Sequence, residues 1–152
     1  MNKVLIKFLM SILLILMIVF IVIFNISYFI GSPILIYRLN DQKALETMSK
    51  NNDLSDCVLI SRFADDQVYY VAQCHNTYHY FDTTGKLLAS RLISSLNIEQ
   101  ILTLYQSEYQ FSTNDIKLGY YKERPIYLIK TVEGELLIDY DEFTILRYYK
   151  RG

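Results

Sequence analysis

The hydrophobic pattern changes character once, sharply, and that change divides the chain. Residues 8–24 are apolar throughout except Ser11, and the run continues through Asn25, Ser27 and Tyr28 to Ile30, 23 residues in all. A helix of that length crosses a hydrocarbon core of ~30 Å. Beyond it, short apolar runs and alternations separated by turn residues predict strands. In residues 125–141 the runs PIYLIKTV and ELLIDYD flank Glu133-Gly134, a pair suited to a primed hairpin turn with glycine at positive φ. If Val132 pairs with Glu135, then Tyr127, Ile129, Leu136, Ile138 and Tyr140 share one face. Lys130, Glu135, Asp139 and Asp141 then share the other, so a helix is expected on the apolar side only.

The same pattern occurs earlier. A shift of 58 positions lays Val58 to Tyr80 over Ile116 to Ile138 without a gap, with His75-Asn76 over Glu133-Gly134. Asn, like Gly, tolerates the left-handed conformation of such a turn. The shift also lays residues 41–50 over 99–108, the two places where a helix is expected ahead of a sheet. The chain therefore reads as α+β, an N-terminal transmembrane helix followed by two helix-plus-antiparallel-sheet modules. Its predicted divisions are 1–30 (cytoplasmic stub and membrane anchor), 31–90 (juxtamembrane helix and first module) and 91–152 (second module).

Gly31-Ser32-Pro33 interrupts the first helix, because proline disfavours helical geometry in the residue before it yet fits a first helical turn. A second helix is predicted over residues 34–50. Strands follow at 57–63, 68–74, 77–82 and 86–89, with Thr83-Thr84-Gly85 as a turn. Asn97 caps a helix whose Ile98, Ile101, Leu102 and Tyr105 fall at i, i+3, i+4 and i+7, spacing that covers the second sheet. The last strand is predicted at 145–149. In the first sheet Tyr69, Val71, Tyr78 and Tyr80 make one apolar face, and Val68, Tyr70, Ala72 and Phe81 make the other apolar too. Such a sheet is covered on both sides, by the second module or by a partner.

Charge sets the topology. Lys3 and Lys7 precede the apolar run, which places the N-terminus in the cytoplasm and the modules outside under the positive-inside rule. No small-residue cleavage site ends the run, so an uncleaved anchor through residues 8–30 is expected rather than a signal peptide. Residues 31–152 carry thirteen basic and sixteen acidic side chains, with no basic footprint for nucleic acid.

Few residues invite chemistry. If Phe63 pairs with Val68, Cys57 lies opposite Cys74, leaving either a cross-strand disulfide or two separate thiols. His75 and His79 lack further ligands at metal-site spacing and read as surface histidines. Asp65-Asp66, Asp139, Asp141 and Glu142 read as solvated turn and strand positions, and no glycine-rich phosphate loop is present. No catalytic, cofactor or metal residues are therefore assigned. The adjacent pairs Tyr120-Tyr121 and Tyr148-Tyr149 each send one ring away from the face that buries the other. With Val68, Tyr70 and Phe81 they are the candidate partner-binding residues.

The anchor, the VYYVAQ and PIYLIK strands and the closing LLIDYDEFTILRYY hairpin resemble the TseB-like cell-wall elongation regulators of Gram-positive bacteria, whose soluble part is built from PepSY-like (cystatin-like) domains. Tyr127 stands where that family often has tryptophan, and Glu142-Phe143 replaces its Thr-Gly turn, which Thr84-Gly85 retains in the first copy. The resemblance implies a membrane-tethered, non-enzymatic regulator of a penicillin-binding protein in peptidoglycan synthesis. The alternative is a PepSY-type inhibitor or chaperone of an exported peptidase, capturing an extended segment at a sheet edge.

Overall fold

A computed structural model describes residues 3–26, 28 and 32–151. The predicted end of the membrane span at residues 27, 29 and 30, and Gly31 of the helix break, lie outside the described residues. Helix α1 covers Lys3–Ile26, and within it Phe8–Ile26 is apolar enough to cross a membrane. Helix α2 covers Ser32–Asn51. Strands β1 (Cys57–Ala64), β2 (Val68–Cys74), β3 (Thr77–Asp82) and β4 (Leu87–Leu92) form one antiparallel sheet in sequential order. Helix α3 (Ile98–Tyr109) then leads to a second such sheet, β5 (Ile116–Tyr121), β6 (Arg124–Lys130), β7 (Gly134–Asp139) and β8 (Ile145–Lys150). The chain divides into two units, Met1–Asn40 and Asp41–Gly152, and both sheets belong to the second.

The internal repeat is a repeat of structure. The last residues of α2 and α3 are 58 positions apart, as are both ends of β4 and β8. Both closing hairpins carry a bulge at the same place: Leu88 is skipped between Tyr80 and Phe81 of the partner strand, and Leu146 between Leu137 and Ile138. Between these fixed points the offset falls to 56 for β2 and β6, and one position of that change comes from an exchange of turn lengths. The first module has three residues between β1 and β2 and two between β2 and β3, and the second has two and then three.

That exchange moves the primed turn. Lys122 and Glu123, between paired Tyr121 and Arg124, both have positive φ, 46° and 64°, the signature of a primed two-residue turn. At the predicted site, Gly134 instead begins β7 without positive φ, and Lys130, not Val132, pairs with Glu135. The register differs by two, so every side chain keeps its predicted face. Gly134 is required by close approach: a Cβ there would collide with the Tyr149 carbonyl oxygen of β8. In the first module His75, φ 53°, is the left-handed residue of the two-residue turn.

Both faces of the first sheet are covered. Ala44 and Met48 of α2 are buried on Tyr70, Ala72 and Phe81. Gly85, φ 76°, lets the β3–β4 turn lie against α2, since a Cβ would come within 2.7 Å of the Met48 amide nitrogen. The opposite face sends Val71 and Tyr80 into a core shared with Tyr120, Tyr127, Leu136 and Ile138 of the second sheet and Ile101 of α3. Asn97 caps α3 as expected, its side chain accepting the Gln100 amide at 3.1 Å. Tyr80 is fully buried and its hydroxyl has no hydrogen-bond partner among the described residues; burial pushes its pKa far up.

Cys57 and Cys74 are joined by a disulfide. They do lie opposite one another, but Ala64 rather than Phe63 pairs with Val68, and a bulge between Leu59 and Ser61 restores the register.

Candidate functional site

The side of the second sheet facing away from α3 is less polar than predicted. Ile126 and Leu137 are fully buried there, and Phe63 of β1 closes over one end, against Gly119 and Ile126. PIYLIK carries apolar residues at both parities, and that doubled pattern was the available signal. The rest of this face stays open. Lys117, Leu128, Lys130 and Glu135, with Asn114 and Asp115, line a shallow depression of about 280 Å³. Across β7, Glu135 pairs with Tyr149 and Leu137 with Arg147.

Aromatic rings and cations order this surface. The Arg147 guanidinium lies 4.2 Å from the Tyr149 ring centroid and donates to the Tyr121 hydroxyl at 3.2 Å. Lys122 lies 5.3 Å from the Tyr121 ring. The Tyr149 hydroxyl donates to Asp65 at 3.1 Å, and burial followed by that hydrogen bond raises its pKa. Leu128 and Leu146 remain half-buried between the charged side chains. The result is a mixed surface in which two half-buried leucines lie among Lys117, Lys130 and Arg147, with Asp115 and Glu135 as counter-charges.

The seven candidate partner-binding residues have different positions. Tyr70 and Phe81 are buried under α2, so the apolar face they form is an internal one, and Val68 is half-buried beside them. Tyr120 and Tyr121 do face opposite ways, yet both are buried: Tyr120 on Tyr69 and Tyr80, Tyr121 beside Phe63 and Ile126. Tyr148 stands edge-on to Tyr109, and with Glu108, Gln110, Val132 and Glu133 they line a second depression of about 300 Å³. Tyr149 reaches the open face. Leu128, Lys117 and Arg147 were not among the candidates, because their grouping depends on the order of four strands.

Two polar assignments change. His79 is buried, not on the surface; its Nδ1 lies 2.9 Å from the Ser90 hydroxyl, and burial pushes its pKa down. Asp139 is likewise buried rather than solvated. Burial pushes its carboxyl up, but hydrogen bonds from the Glu142 amide, Arg124 and the Asp141 amide outweigh that and hold it below the usual range. The carboxylate thereby organises the β7–β8 turn, where Phe143 has φ 56°. Asp82 does the same in the first module, accepting from the amides of Thr84 and Lys86. Among the described residues no group of three or more His, Cys, Asp or Glu side chains is placed to hold a metal ion.

Compared with protein-family models, with curated proteins and with solved structures, the chain has no match.

Proposed function

We propose that this chain is a single-pass, membrane-anchored protein of the bacterial cell envelope whose extracytoplasmic body binds and regulates an envelope enzyme without catalysing a reaction itself. The partner class is a penicillin-binding protein of Gram-positive peptidoglycan synthesis, and the contact is the open face of the second sheet. The observation that carries this reading is a membrane-length helix ahead of a folded body with one sheet face left partly open, where half-buried leucines lie among cations and the acids Asp115 and Glu135. The Cys57–Cys74 disulfide supports the topology, since such bridges persist in oxidising compartments. A membrane tether raises the local concentration at a neighbouring membrane enzyme, so a modest interface suffices. The two modules are PepSY-like in this reading, a kinship carried by the sequence resemblance.

The test is photo-crosslinking in cells from Leu128 and from Arg147 of the full-length protein, with Leu104, exposed on α3, as the control position. Adducts to a penicillin-binding protein from 128 and 147 but not from 104 are expected. An exported peptidase in those adducts would replace this reading with the inhibitor or chaperone role. That second reading draws on β4 and β8, terminal strands of their sheets, as edges for an extended segment.

A further inference from the structure

We infer that residues 34–39, near the start of α2, lie in the boundary between headgroups and acyl chains of the bilayer that α1 spans, an inference that rests on the anchor reading above. The described apolar part of α1 is 19 residues long, or roughly 28 Å of helix, close to the thickness of a hydrocarbon core, and the apolar run continues in the sequence to Ile30. Eight residues after Ile26, just past Gly31-Ser32-Pro33 in the sequence, a second apolar stretch begins, with Ile34, Leu35, Ile36 and Leu39 all between 51 and 59% exposed. The same helix changes character after Asn40: Ala44 and Met48 are buried in the first module's core, and the exposed aliphatic residues end at Leu39.

The chain limits what can cover that stretch. Eight residues reach at most about 28 Å when fully extended, so residue 34 stays within that distance of the end of the span. An aliphatic segment held so near a membrane has an apolar phase within reach. Its composition suits the interface: Tyr37 and Arg38 are residue types that place an apolar stem among acyl chains and a polar end among headgroups. No acidic residue precedes Asp41, so nothing in the stretch repels anionic lipid.

The chain contains no tryptophan, which makes single-tryptophan variants clean depth reporters. The full-length protein is reconstituted in vesicles of phosphatidylcholine and phosphatidylglycerol carrying bromines either shallow or deep on the acyl chain. The reporters are Ile18→Trp in α1, Leu35→Trp and Leu39→Trp in the stretch, and Leu104→Trp as the solvent control. Emission from positions 35 and 39 is expected to the blue of position 104 and quenched by shallow bromines roughly twofold more than by deep ones. Position 18 should show the reverse preference. Lack of bromine quenching at 18 would remove the anchor reading and the inference with it. Quenching at 18 with solvent-like emission at 35 and 39 would overturn the inference alone. Blue-shifted but unquenched emission at 35 and 39 would also overturn it, assigning the stretch to a protein contact.

Discussion

Tyr80 and Asp139 are both buried polar residues, and they contribute with opposite sign. The Tyr80 hydroxyl is buried without a partner among the described residues, a deficit that costs about 1–3 kcal/mol in a folded protein. Tyr80→Phe keeps the ring and removes the unpaired group, so chemical denaturation should show a gain of about 1 kcal/mol. Asp139 has its charge matched by Arg124 and two backbone amides. Because its folded-state pKa is depressed, its contribution is present above the unfolded value, about 3.9, and is lost as pH falls through the lower folded value. Asp139→Asn should therefore be less stable than the natural protein at neutral pH, with the difference shrinking below about pH 4 as the wild-type carboxylate protonates. Equal stability at pH 7, or a difference that grows with acid, would contradict the assigned role.

At the scale of elements, period and turn chemistry made most of the fold legible in the sequence. The bounds of β2 and β3, the Asn97 cap and the inward side of α3 follow from alternation, capping preference and helical spacing. The turns were less legible. Glu133-Gly134 has the composition of a primed turn, but its glycine answers a close approach from Tyr149 of β8, fifteen residues further on. The real primed turn holds Lys122-Glu123, which propensity would not select. A non-glycine residue in the left-handed region costs roughly 1–2 kcal/mol. Glu123→Gly should thus raise stability by about 1 kcal/mol in thermal or denaturant unfolding, less any added freedom of the unfolded chain. The disulfide register carries the same lesson. Cys57 opposite Cys74 was reached from a pairing one residue off, and the bulge at Ile60 cancels the offset. Alternation is blind to a bulge, because a bulge shows only when two strands are paired. The open sheet face was hidden for a related reason: Lys117, Leu128, Lys130 and Arg147 are scattered in sequence and meet only through strand order.

On the scale of the whole molecule, the repeated modules share a core and are fastened at its margins. Arg91 of β4 makes two contacts with Asp141 beyond β7, at 2.6 and 3.2 Å, Ser61 of β1 donates to the Leu118 carbonyl of β5, and Tyr149 reaches Asp65. Exposed pairs such as Arg91–Asp141 add little stability, so the shared aromatic core does most to hold the sheets together. One face of each sheet is spent on that core and α2 covers much of the first sheet's other face, while the outer face of the second sheet is closed only at one end, by Phe63, among the described residues. The claim that this face binds the partner is tested most directly by affinity. The full-length protein in lipid nanodiscs is titrated with a purified penicillin-binding protein, alongside a variant of two exposed lysines, Lys117→Glu/Lys130→Glu. The account predicts a Kd raised on the order of tenfold or more, equivalent to about 1.4 kcal/mol, with an unchanged melting temperature. An unchanged Kd in the variant, or no binding by the natural protein, would contradict it.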